Sequence, residues 1–146
     1  MSLLSDLAFE YLAELHLMVL CQGHKTISDA DWDAYLDAMR PVLTGDRLFR
    51  ALVVTDGGYP TRSQQGRMTT LVGKRTPCVA IITSSTAMRF VVSILALLNS
   101  KVSCFDPNRR LQAYAYLGIN PMHNAKVDAA VEQLRGMLST ENAKVA

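Results

Sequence analysis

The run Leu52-Val53-Val54-Thr55-Asp56-Gly57-Gly58-Tyr59-Pro60-Thr61-Arg62-Ser63 constrains the fold most. Apolar, mostly β-branched residues give way to an acid, two glycines and a proline, and a helix-like segment follows. A buried strand turns into a helix N-terminus in this way, and open α/β sheets place ligand and partner sites at such strand ends. Glycine lets backbone N–H groups approach a bound group, and the helix start adds positive partial charge. Asp56, Gly57, Gly58, Tyr59 and Thr61 are therefore candidate anion- or partner-binding residues. The alternative is a tight strand-to-helix turn with Thr61 as its cap. The text nearest to a phosphate-cradling loop, Gly66 to Gly73-Lys74, has the wrong spacing and falls inside a helix.

The rest of the chain repeats the same alternation. Phe9 to Leu12 and Leu15 to Cys21 read as two short strands around Ala13-Glu14, with a helix over Leu4 to Leu20 as the alternative. Ser28 is an N-cap type, and Asp29, Asp31 and Asp33 load the first turns that follow it, where the helix dipole favours negative charge. Trp32, Tyr35, Leu36 and Met39 fall at i, i+3, i+4 and i+7 and make one apolar face. Phe49 to Thr55 is a strand, and Thr61 to Val72 is a mostly solvated helix stopped by Gly73. Cys78 to Thr83 is a strand buried on both faces. Ala87 to Leu98 is a helix apolar nearly all round, and Lys101 to Phe105 is a further strand. Asp106 caps a helix with Pro107 at its first position, carrying Leu111, Tyr114, Ala115 and Leu117. A last helix runs from about Ala125 to Leu138, with a frayed tail after it. The order β-β-α-β-α-β-α-β-α-α predicts an α/β fold with a largely parallel central sheet, covering helices and an extra C-terminal helix.

Composition narrows the function classes. The chain has 146 residues, enough for one well-packed domain, and 19% of them are charged, with a formal net charge of +2. Lys74-Arg75 and Arg109-Arg110 are the only adjacent basic pairs, too sparse for a nucleic-acid stripe. Met1 to Asp6 has no cationic leader segment, and Phe90 to Leu98 is far short of the roughly 20 residues that span a bilayer. The expectation is a cytoplasmic protein that binds no nucleic acid and inserts into no membrane. Cys21, Cys78 and Cys104 are odd in number and lack metal spacing, which predicts reduced, packed thiols. His16, His24 and His123 have no ligand partner at metal spacing, so neither metal nor cofactor is expected.

The segment order and several of these residues resemble the STAS/SpoIIAA-like superfamily of anti-sigma factor antagonists and stressosome modules, distantly related to SEC14-type lipid carriers. The resemblance rests on Phe49 to Asp56 before the signature loop and on Cys78 to Thr83 followed by the apolar helix. Phe105-Asp106-Pro107 leading into Leu111 to Gly118 completes it. It covers residues 9–119 and implies a STAS-like domain over 1–120, with residues 121–146 as a helix and tail packed against it. It also implies a non-enzymatic signalling role through protein–protein contact. Phosphoswitch members carry a serine shortly after the equivalent Asp; here Gly57 and Gly58 follow Asp56, so the usual phosphoacceptor is missing. The SEC14-type relatives imply the alternative, a small apolar or anionic ligand.

Two further features carry expectations. Ser84 and Ser85 could present hydroxyls to a ligand, Ser85 could be a nucleophile, and both, with Thr86, could simply cap a helix. The apolar helix needs cover on its outer side from the C-terminal helix, a second subunit or a lipid-like ligand. A two-fold dimer through Phe90, Ile94 and Leu97 is the expected solution.

Overall fold

The computed structural model describes residues 1–43, 49–86, 89 and 101–145, with side chains through Thr140. Its centre is a six-stranded mixed sheet with the strands side by side in chain order. Strands β1 (Ser2–Leu4), β2 (Leu7–Leu12) and β3 (Leu17–Gln22) form an antiparallel meander. Strands β4 (Arg50–Thr55), β5 (Cys78–Ile82) and β6 (Val102–Phe105) then add parallel to β3. All six residues of β3 are buried: the apolar run Leu17–Cys21, as befits the middle of a sheet, and Gln22 after it.

Side-chain alternation along the strands sorts the core into two faces. Met18, Leu20 and Ala51 point to the side covered by helices α1 (Asp29–Met39) and α2 (Arg62–Val72). Val19, Cys21, Leu52, Val54, Ala80 and Ile82 point to the side covered by helices α3 (Arg110–Tyr116) and α4 (Asn124–Val145). The apolar face expected for α1 is the one buried: Trp32, Tyr35, Leu36 and Met39. Trp32 stacks on Tyr35 at 5.4 Å between ring centres, and Phe9 of β2 tilts onto Tyr35 at 5.1 Å. On the other face Val127, Ala130, Leu134 and Leu138 bring α4 onto the sheet. The fold is thus α/β with a mostly parallel sheet, covering helices and a C-terminal helix in a single compact unit.

Several expectations require correction. Ser2–Leu4 is an unforeseen edge strand, paired with β2 through the turn at Ser5-Asp6. Leu15 and His16 belong to the β2–β3 turn and not to a strand. His16 takes a left-handed φ of 49°, and its Nδ1 lies 3.0 Å from the Tyr11 hydroxyl. Cys78 and Val79 are only half-buried, because they open the strand next to the edge of the sheet. The Asp106 side chain makes no cap. It pairs with Arg89, and the turn Pro107–Arg109 relies on the backbone bond from Arg109 N to Asp106 O. Leu111 is exposed, while Ala113, Tyr114 and Leu117 face inward. The C-terminal helix does not end near Leu138 but continues to Val145. The expected apolar helix 87–98 lies outside the described residues except for Arg89.

Polar ties hold the two layers. Gln64, 1% exposed, knits α2 to the loop before α1. Its N–H donates to Thr61 Oγ1 while its Oε1 accepts from Thr61 N, a reciprocal capping box. Its Nε2 donates to Ile27 O at 2.8 Å and Asp29 Oδ1 at 3.0 Å, and its carbonyl accepts from Trp32 Nε1 at 2.9 Å. On the opposite face the Tyr114 hydroxyl donates to Asp128 Oδ1 at 2.6 Å, and Arg110 grips both oxygens of the same carboxylate. Burial, and then the bond to Asp128, push the Tyr114 phenol up, so it keeps the proton it donates.

Gln64→Ala removes one half of the cap and strands the Ile27 carbonyl. The variant should lose about 2–4 kcal/mol of stability in urea unfolding. A pH effect is expected from Asp128. Burial works to raise its carboxyl, but the Arg110 and Tyr114 hydrogen bonds outweigh burial and hold it below its ordinary value. A depressed carboxylate stabilises the fold above its unfolded pKa, near ~3.9, and the contribution is lost as pH falls through the lower folded value. Asp128→Asn should therefore lower the melting temperature at pH 7 while shrinking the further drop seen on acidification to pH 3.

Candidate functional site

All four parallel strands, β3 to β6, end on one rim, and the loops leaving it are built by close backbone contacts. Asp56 N donates to Gln22 O at 3.1 Å, and Gly58 N donates to Gly23 O at 3.0 Å. A Cβ on Gly58 would lie 2.7 Å from the Gly23 oxygen and 2.8 Å from the Lys25 oxygen, so only glycine fits. Gly57 has φ 122°, a conformation that L side chains rarely adopt. Thr55 Oγ1 closes the turn, donating to Gly58 O at 2.6 Å and accepting from Gly57 N at 3.1 Å.

Among the described residues, several buried polar side chains gather at this rim. Asp6, Gln22, Thr55, Gln64 and Thr83 are all buried there. Asp6 Oδ2 accepts from Lys25 N at 2.7 Å, and the Asp6 carbonyl accepts from Gly23 N at 3.1 Å. A side chain on Gly23 would collide with the Asp6 carboxylate. Asp6 Oδ1 and Gln22 Nε2 are buried with no hydrogen-bond partner among the described residues. Burying polar groups is unfavourable unless they are bonded, so the bonded atoms here, Asp6 Oδ2 and Thr55 Oγ1, are the ones that fix the loops.

The structure brings the two expected groups of site residues to the same rim. Ser85 lies beside Gly57, its side chain 3.9 Å from where a Gly57 Cβ would stand. Ser85 N donates to Thr83 Oγ1 at 3.1 Å, and Ser85 O accepts from Arg89 N at 3.1 Å. Ser84 and Asp56 are exposed, and Tyr59 is 42% exposed. Gly58 is buried beneath the loop, and Thr61 is spent on the cap of α2. Phe90, Ile94 and Leu97, the expected interface, lie outside the described residues.

Two hollows adjoin these elements. Arg135 of α4 reaches Asp56 at 3.4 Å across an open cleft of about 100 Å³ lined by Gln22, His24 and Ser139 among others. A wider groove of about 930 Å³ runs between α1 and α2, open to solvent and bordered by Asp33, Asp37, Arg40 and Arg67. Thiol chemistry is not favoured at either place. Burial, more than any charge, pushes Cys21 up to about 12, and it also raises Cys78 and Cys104. Among the described residues no helix is long and apolar enough to cross a membrane.

Compared with family models, curated proteins and solved structures, the chain finds no match. Sequence reasoning missed Asp6, Gly23, Gln22, Gln64 and Thr83. Two signals were present: Thr61-Arg62-Ser63-Gln64 is a capping-box pattern, and Gln22-Gly23 ends an otherwise apolar strand.

The two glycines should respond differently to substitution. Gly57→Ala has space and meets only backbone strain, an expected loss of about 1–2 kcal/mol. Gly58→Ala must push the β3 and β4 loops away from each other and should lose about 1–3 kcal/mol by overpacking. It should also speed hydrogen exchange at Gly23 and Lys25, which Gly57→Ala should leave slow. Exchange-detected NMR on the two variants separates the effects.

Proposed function

We propose that this chain is a STAS-like interaction module of the cytoplasm, non-enzymatic, that binds another protein through the carboxyl rim of its sheet. One observation carries the reading: Thr55 Oγ1, bonded to Gly57 N and Gly58 O, and the bond from Gly58 N to Gly23 O hold the Asp56–Pro60 loop in place, with Tyr59 standing out at 42% exposure. A rigid loop that presents an aromatic side chain is a means of contact rather than of reaction. The cleft beside it, about 100 Å³, is small against the ~300–1,000 Å³ of typical small-molecule pockets. The α1–α2 groove is larger but open and edged with charge. Both weigh against the alternative of a SEC14-like carrier.

The hydroxyls near the missing phosphoacceptor fit this reading. Thr55 is buried and doubly bonded, and Thr61 is engaged in the α2 cap. Phosphate on either would break the turn that presents Tyr59. Protein isolated from its native host should show no phosphate on Thr55, Thr61 or Ser63 by intact-mass analysis. A photo-crosslinking residue in place of Tyr59 should give a discrete protein adduct. Stoichiometric phosphate would restore a phosphoswitch, and adducts arising only from other faces would rule out the rim as the contact surface.

A further inference from the structure

The parallel side of the sheet ends on an open flank. Among the described residues β6 pairs with β5 alone, so it is the outer strand there. An outer strand presents N–H and C=O groups to any chain that can pair with it, and proteins guard such strands with a charge, a proline or a bulge. β6 carries none of these. Its residues are Val102, Ser103, Cys104 and Phe105, all half-buried, and they stand opposite consecutive residues of β5 from Val79 to Ile82. The other outer strand, β1, is three residues long, and Ser5 just past it is held to Asp31 of α1 by both its N–H and its hydroxyl.

The ladder with β5 decides which groups of β6 face outward. Val79 N donates to Lys101 O, and Thr83 N donates to Phe105 O. In a parallel pair alternate residues turn both backbone groups to the neighbouring strand. Lys101, Ser103 and Phe105 therefore serve β5, while Val102 and Cys104 point their N–H and C=O away from it. The two outward residues lie symmetrically about Ser103. Side chains alternate as well. Val102 and Cys104 pack beside Ile81 on one face of the sheet. Phe105 lies on the other face and tilts onto Tyr116, 36% exposed, at 5.7 Å between ring centres.

We infer that β6 pairs with β6 of a second copy of this chain, antiparallel and about a two-fold axis at Ser103. In that register Val102 of each copy exchanges backbone hydrogen bonds with Cys104 of the other, which satisfies every outward group of the strand and joins the two sheets into one. The charges at the ends of β6 favour this direction. Lys101 precedes the strand, and Asp106, which pairs with Arg89 in its own chain, follows it. Antiparallel copies set Lys101 of one beside Asp106 of the other, whereas parallel copies would set like beside like. No charge within β6 repels a second copy. This contact is separate from the rim and does not depend on the function proposed for it.

Hydrogen exchange by NMR on the unmodified full chain, at low and at high micromolar concentration, reads the contact directly. The Val102 and Cys104 amides should exchange about tenfold or more slowly in the concentrated sample, while Ser103 and Phe105 stay slow in both. Sedimentation should show the matching shift from monomer to dimer. Ser103→Cys should form an intermolecular disulfide in air, because residue 103 faces its own copy at a non-hydrogen-bonded pair, where side chains come closest. Ser103→Lys should weaken the dimer about tenfold or more by setting like charges opposite each other. A monomer at high micromolar concentration would overturn the inference. So would slowing of the Val102 and Cys104 amides only when an extended peptide is added, which would assign the strand to another protein. A dimer in which these two amides stay fast, or which Ser103→Lys leaves intact, would put the contact on another surface and overturn it equally.

Discussion

Gly58 donates its amide to the Gly23 carbonyl at 3.0 Å, and the β3 and β4 loops can meet there only because Gly58 carries no side chain. Much of the rim follows from that contact. It places the Asp6 carboxylate over Gly23, sets the Lys25 backbone against Gly58, and leaves Thr55 Oγ1 to close the turn from below. Tyr59 is exposed because the chain on either side of it is pinned. Gln64 extends the same lock to both helices of that face, since its side chain and carbonyl reach the loop before α1, the cap of α2 and the indole of Trp32. The site is thus a by-product of how parallel strands leave a sheet: every crossover starts from the same edge, and its polar backbone must be satisfied there.

Much of this is legible in the sequence, and for physical reasons. Apolar runs locate β4 and β5 and, within two residues, β3; the i, i+3, i+4, i+7 spacing locates α1; and α2 is read from the turn before it and its stop at Gly73. The Asp-Gly-Gly-Tyr-Pro run discloses a turn because glycine and proline act locally. What stays hidden depends on long-range contact. Nothing local marks Asp6, which is buried only because it pairs with a loop nineteen positions away. The strand Ser2–Leu4 is too short for any period to show. His16 reads as strand because a left-handed residue in a tight turn leaves no trace in hydropathy. The end of α4 is misplaced from sequence because helix propensity continues past Leu138, where the buried stripe stops.

The two faces of the sheet are held by different chemistry. On the α1–α2 face, aromatic stacking and one buried amide do the joining. On the α3–α4 face, Tyr114, Asp128 and Arg110 clasp the two helices at the surface while Val127 and Leu134, fully buried, fill the interior. Arg50 ties the far end of the sheet together, donating to the carbonyls of Leu15 and Leu117. The far edge is therefore committed to packing. The carboxyl rim instead gathers the buried polar side chains Asp6, Gln22, Thr55 and Thr83 beneath the exposed Tyr59. That asymmetry is the reason for assigning function to one edge and stability to the other.

These backbone bonds make the rim a preformed surface and not a loop that orders on contact. Native-state hydrogen exchange of the free protein measures this at the amides of Gly23, Asp56 and Gly58, each of which donates to a backbone carbonyl across or below the rim. A preformed rim requires these amides to exchange only through the same global opening that releases the β3 and β4 strands, with the same dependence on denaturant. Exchange by local opening, fast and independent of denaturant while the strands stay protected, would contradict it.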